Sequence, residues 1–114
     1  MRPERLYLTD IIAAAEDIAH FIAGLSESDF YQDPKSQSAV VQKLIVIGEA
    51  AARLPQSLRA QYPQIEWQDI VAFRNILVHA YFSIKLTIVW ETATQDVPTL
   101  QASITDILRE LPEE

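Results

Sequence analysis

The sequence predicts an all-α fold, an up-and-down bundle of five to six helices, and three observations carry that expectation. Apolar residues recur three and four positions apart along several stretches, the spacing that lines one face of an α-helix. No stretch alternates convincingly between apolar and polar residues as a half-buried strand does. Only two glycines in 114 residues leave few of the tight reversals that a β-fold needs.

The first helix carries Leu8, Ile11, Ala15, Ile18, Ile22 and Leu25 as a one-sided stripe, with Asp10, Glu16, Asp17 and His20 between them. Gly24 sits where a C-terminal stop is expected. A polar connection, Ser26 to Ser38, follows, in which Ser26-Glu27-Ser28-Asp29 caps a short turn around Phe30 and Tyr31. The second long helix, about Ser36 to Leu54, is apolar round most of its circumference, which places it in the middle of a bundle. Within it, Gly48 and the run Ala50-Ala51-Ala52 remove side-chain bulk and let another helix approach closely. Pro55 stops that helix and introduces a short one over Gln56 to Gln61, which Pro63 ends. A third main helix begins near Ile65-Glu66, carries Trp67, Ile70, Val71, Phe73, Leu77 and Val78, and loses regularity near Tyr81-Phe82-Ser83. A further helix spans about Ile84 to Thr94. Asp96 is expected to cap the last one, Val97 to Leu111, with Pro98 in its first turn.

Length and composition fit one domain over residues 1–114. With no cysteine there is no disulfide framework and no thiolate metal site. Two histidines far apart in sequence make a zinc site within one chain unexpected, and no phosphate-binding glycine loop or nucleophile elbow is present. Neither a metal nor a cofactor is therefore expected. No apolar run approaches the roughly 20 residues of a membrane span, so a cytoplasmic protein without membrane contact is expected. The net charge of −7 disfavours passive binding to nucleic acid.

One stretch stands apart. Ala72-Phe73-Arg74-Asn75-Ile76-Leu77-Val78-His79-Ala80-Tyr81-Phe82 places Arg, Asn, His and Tyr in an otherwise apolar helix, where a charge costs free energy unless it is paired or faces a cleft. On a helical wheel Asn75 and His79 lie about 40° apart, one turn along, so Asn75 is placed to hydrogen-bond His79 and fix its tautomer. Arg74 and His79 are about 140° apart; one helix alone does not stack them, and a second subunit is one way to complete a site. The plain structural reading stands beside this: Arg74 salt-bridges a neighbouring helix, His79 is a satisfied core histidine and Tyr81 packs at a helix end. His20, opposite the apolar stripe of its helix, reads as a solvated surface residue.

Arg74-x4-His79-x-Tyr81 resembles the R-x4-H motif of the HEPN superfamily and, more narrowly, of its HepT-like toxin family. Ile47-Gly48-Glu49-Ala50-Ala51 is similar to that family's second-helix signature. Trp67 precedes the motif at the matching interval, and Val89-Trp90-Glu91 followed by Gln95-Asp96-Val97-Pro98 resembles the stretch after it. Ala93-Thr94 and Val97 look like tolerated variants. The resemblance covers nearly the whole chain. It implies a HEPN-like all-α dimer with both motifs lining one cleft, and a metal-independent endoribonuclease acting as the toxin of a toxin–antitoxin module. Its implied partners are an RNA substrate and a minimal nucleotidyltransferase antitoxin, bound in a homodimer or a higher hetero-oligomer. That antitoxin would transfer AMP to Tyr81. The implied catalytic residues are Arg74 and His79, with Asn75 and Tyr81 in support. The chemistry suits them: a histidine moves protons near neutral pH, and arginine offers a rigid fork of donors to a phosphate. The competing expectation is a non-catalytic helical module that binds a nucleotidyltransferase partner or a nucleotide, which fits the acidic balance better.

Overall fold

The computed structural model describes residues 3–112, and all the regular structure in them is helical. Seven α-helical segments follow one another: α1 (Pro3–Ile22), α2 (Glu27–Tyr31), α3 (Pro34–Arg53), α4 (Gln56–Gln61), α5 (Trp67–Ala80), α6 (Leu86–Glu91) and α7 (Val97–Glu110). A 3-10 turn, Tyr81–Ser83, follows α5, and a π turn, Thr92–Asp96, joins α6 to α7. The backbone stays helical through that π turn, so α6 and α7 form one rod and the described residues hold six helical rods.

Here the structure corrects the expected start of the last helix. Asp96 does not cap α7: its backbone is itself helical (φ −74°, ψ −40°) and its side chain makes no capping hydrogen bond. Pro98 supplies a physical reason. It has no N–H to donate into the helix, and its ring crowds the carbonyl four residues back. Widening the preceding turn is a common way to keep a helix running past such a defect.

The apolar girth of α3 is used as the sequence suggests. Val40, Leu44, Ile47, Gly48, Ala50 and Ala51 are buried, and α1, α2, α5 and α6 all pack against this helix. The stripe of α1 supplies Leu8, Ile11, Ala14, Ala15 and Ile18 to the same core. The rod contributes Val89, Ala93, Val97, Ile104 and Ile107. α2 is capped at its start as expected, here by a capping box between Ser26 and Asp29, and it turns Phe30 fully inward against the ring of Trp90, 5.2 Å between centroids. Gly24 adopts the left-handed conformation (φ +79°) that lets the chain leave α1.

Polar ties fix how the helices meet. The Arg5 guanidinium in α1 donates to the carbonyl oxygens of Leu108 and Leu111 at 3.3 and 3.2 Å, satisfying the open C-terminal end of α7. Lys43 of α3 pairs with Asp17 of α1 at 3.1 Å. Among the described residues no helix is long and apolar enough to cross a membrane.

α3 begins two residues earlier than the periodicity suggests, because Asp33 caps it and Pro34 fits its first turn. The Ser36 hydroxyl donates to the Asp33 carboxylate at 2.6 Å and the Ser36 N–H at 3.3 Å. The hydroxyl bond first, and the backbone bond second, hold the Asp33 carboxyl below its usual range. A lowered folded value means stability that is present above the unfolded value, about 3.9, and lost as pH falls through the folded one. Asp33→Ala is therefore expected to lower the thermal midpoint by a few degrees at pH 7. Circular-dichroism melts should show the deficit shrinking as pH is taken below about 4.

Candidate functional site

α5 starts on an anchor. Trp67 is buried and its indole N–H donates to the Tyr62 carbonyl at 3.0 Å. Leu77 is buried one side further along, and Ile70 and Phe73 pack against the core. Among the described residues α3 is the only helix that makes an extended contact with α5. One side of it is exposed at Ala72, Asn75, Ile76, Val78 and His79, and the motif residues divide between the covered and the exposed sides.

Arg74 lies on the side turned to α3, directly over Gly48. A Cβ built on Gly48 would overlap the Arg74 Cβ, stand 2.7 Å from its Cγ and 3.3 Å from the carbonyl oxygen of Ile70. Non-bonded carbons prefer roughly 3.5–4.0 Å, so only glycine fits here without a shift. The stem of Arg74 is thus pressed on the backbone of α3. The residue is half-buried, and its Nε is sequestered from solvent with no hydrogen-bond partner. The salt bridge to a neighbouring helix that a purely structural arginine would make is not formed among the described residues.

His79 and Asn75 take the opposite side. Both are exposed, so His79 is not a core histidine, and no hydrogen bond joins the two among the described residues. Ile76 and Val78, 44% and 45% exposed, flank them, and Phe82 beyond is 81% exposed. α5 ends at Ala80, and Tyr81 opens the 3-10 turn, so the α-helical register that would align Tyr81 with Arg74 stops one residue short. The side chain of Tyr81 lies outside the described structure. His20 is exposed on α1, as expected.

The structure therefore does not bring Arg74, Asn75 and His79 together within one chain. It puts Arg74 at the α3–α5 seam and the other two on the open face. A groove of about 600 Å³ between α5 and the α6–α7 rod is lined by Phe73, Ile76, Ile88 and Leu100 and by none of these three residues. That groove lies away from the motif residues, and a half-buried Arg74 without a partner among the described residues weighs more than volume in locating chemistry.

Two features escaped the reading of the sequence. One is the specific contact between Gly48 and Arg74; the signal was a glycine in mid-helix, where it lowers helix stability and so needs a reason. The other is the distribution of charge. Residues 70–90 contain Arg74, His79 and Lys85 and not one of the sixteen carboxylates. The acidic chain keeps its acids off this segment. Among the described residues no group of three or more His, Cys, Asp or Glu side chains is placed to hold a metal ion.

The fold and site define a class: an all-helical bundle that presents Arg-x4-His on a helix supported from one side. A family model described as Ribonuclease HepT-like matches residues 11–107. The chain belongs to the HepT-like ribonuclease family. A protein of Thermococcus cleftensis named "Probable ribonuclease HepT" is 36% identical over 88% of this chain and 91% of its own length. A "Putative RNase" of Caldanaerobacter subterraneus subsp. tengcongensis is 34% identical over 96% of this chain and 97% of its own. A Methanocaldococcus jannaschii protein named "Gamma-glutamylcyclotransferase and putative RNase" is 34% identical over 94% of this chain, which spans 48% of that protein. No solved structure matches.

Among the described residues the Arg74 guanidinium makes no hydrogen bond or ion pair, so removing it breaks none there. Arg74→Met keeps an unbranched stem on Gly48 and deletes the buried, unpaired Nε. Urea denaturation should find stability within about 1 kcal/mol of wild type, or higher. A structural arginine paired in the core would cost about 3–5 kcal/mol instead.

Proposed function

We propose that the chain is a metal-independent endoribonuclease that works as a homodimer, with Arg74 and His79 as its catalytic residues. The single observation that carries this reading is the half-buried guanidinium of Arg74, whose sequestered Nε has no hydrogen-bond partner among the described residues, one helix face away from an exposed His79 in a chain of a ribonuclease family. A charge kept partly dry without an internal partner is suited to an external anion, and the anion that a ribonuclease binds is the phosphodiester.

RNA supplies its own nucleophile. The 2′-oxygen attacks phosphorus, the bond to the 5′-oxygen breaks, and the products are a 2′,3′-cyclic phosphate and a 5′-hydroxyl. His79 takes the proton from the 2′-hydroxyl or delivers one to the departing 5′-oxygen. Arg74 donates to a non-bridging oxygen whose charge grows in the transition state. Asn75, one turn before His79, orients the imidazole once the cleft closes around substrate.

The dimer supplies what one chain lacks. Ile76 and Val78 flank the Asn75–His79 stripe and are nearly half exposed. A second copy packed on them removes that apolar surface from water and sets two His79 side chains about one cleft, so base and acid come from different chains. The carboxylate-free segment 70–90 then concentrates positive charge at the cleft of an otherwise acidic assembly.

Regulation would act at the same end of α5. A nucleotidyltransferase antitoxin transfers AMP from ATP to the Tyr81 hydroxyl, two residues from His79: the phenol oxygen bonds to the α-phosphorus and loses its proton as pyrophosphate leaves. Each AMP adds bulk and about one negative charge where RNA phosphate must sit.

Total RNA incubated with the chain, purified without a partner and with Tyr81 confirmed unmodified by intact mass, tests the chemistry. Cleavage is expected in the presence of chelator, to 5′-hydroxyl ends, and it should fall by at least ~100-fold in His79→Ala. Protein carrying AMP on Tyr81 should be inert. Loss of cleavage on chelation, 5′-phosphate ends, or no cleavage by folded wild type would each overturn the proposal, the last in favour of a binding module. The assembly is tested separately: light scattering should report a dimer for wild type and a monomer without activity for Ile76→Asp/Val78→Asp. An active monomer would contradict the shared cleft.

A further inference from the structure

We infer that Gly48, a residue of α3 with no side chain of its own, is a positioning residue for Arg74. The inference rests on the ribonuclease reading and adds to it a determinant on a different helix from the motif. Its basis is the geometry of the seam. A Cβ on Gly48 would overlap the Arg74 Cβ and come within 2.7 Å of its Cγ. The Cγ can swing away by rotation about χ1, but the Cβ is fixed to the backbone of α5. Relief therefore requires α5 itself to lift or turn on α3.

Such a shift acts on the part of Arg74 that matters. The stem of Arg74 is lodged against α3 and its Nε is sequestered, so the seam fixes the direction in which the guanidinium projects. That direction is set where the stem rests on Gly48. Moving α5 away from α3 admits water beside Nε and frees the stem, so the guanidinium samples orientations in which it no longer meets the growing charge on phosphorus. His79 sits on the opposite, exposed side of α5 and has no contact with Gly48 that a methyl would alter. The two catalytic groups are thus separable: one is governed by the seam and the other is not.

Steady-state cleavage of one short RNA oligonucleotide by wild type, Gly48→Ala, Arg74→Met and the double variant tests the assignment, each at a temperature where circular dichroism shows it fully folded. Gly48→Ala is expected to lose at least ~10-fold in kcat with KM changed far less, since the interaction strengthens in the transition state. The double variant should be no slower than Arg74→Met alone, because the seam acts only through the guanidinium. The pH profile of Gly48→Ala should keep the limbs of wild type, because His79 is undisturbed.

Full activity in Gly48→Ala, a double variant slower by the product of the two single losses, or a displaced pH limb would overturn the inference. If Gly48→Ala does not fold, stability carries the test instead. Added to Arg74→Gly, which removes the two overlapping atoms and leaves the Ile70 carbonyl oxygen at 3.3 Å, the alanine should be tolerated, with a folded protein and a urea midpoint close to that of Arg74→Gly. Failure of this double variant to fold would show that the space above Gly48 is not Arg74's to occupy. Failure of the ribonuclease reading looks different: wild type would not cleave, or Arg74→Met would cleave as well as wild type.

Discussion

The closeness of α3 and α5 at Gly48 is the constraint on which the rest of the site depends. Glycine inside a helix costs about 0.5–1 kcal/mol relative to alanine. Forcing an extra methyl into a close-packed seam typically costs about 1–3 kcal/mol. The overlap that a Cβ would create with Arg74 is therefore the larger effect, and it accounts for a glycine in the middle of the most buried helix of the bundle. With no side chain between them, the two helices meet backbone to stem. A charged residue can then sit in a helix seam without being drawn into an ion pair there.

Much of the site's character follows from α3 being, among the described residues, the only helix with which α5 makes an extended contact. Its inner side is held by Trp67, Leu77 and the Arg74 stem. Its outer side is left to Asn75, His79 and two half-exposed apolar residues, Ile76 and Val78. A helix held this way is well placed to be completed by another molecule: the inner contacts fix it, and the outer face has no intramolecular role to lose. The chain's acidity is compatible with an anionic substrate because the carboxylates are absent from residues 70–90, where Arg74, His79 and Lys85 are found. Net charge describes long-range steering, whereas a local segment with basic side chains and no carboxylates describes the contact.

The bundle was legible because its periodicity is strong. The stripe of α1 and the wide apolar girth of α3 each have one consistent meaning, and a helix forms over each. Two boundaries were not legible. The start of α3 depends on Asp33 and Pro34, which read locally as part of a polar connection. The join of α6 to α7 looks like a capped start, since Asp96-Val97-Pro98 has every local sign of one. The tertiary context keeps Ala93 and Val97 buried in the same core, and a π turn carries the helix through. For the site, the identities Arg74, Asn75 and His79 were readable as polar residues in an apolar helix. What local sequence could not supply was the partition between seam and open face. That depends on which neighbour α5 chooses, and on a contact between residues 26 positions apart.

The most direct test of this account observes the guanidinium itself. In a 15N-labelled chain, the Arg74 Nε–H resonance would be followed while 2′-O-methyl RNA is added, an analogue that lacks the nucleophile and cannot be cleaved. The account predicts that this resonance moves to saturation along with those of the Asn75–His79 face, and that the other sequestered arginine, Arg59, stays still. RNA binding that shifts other signals and leaves Arg74 unmoved would contradict it.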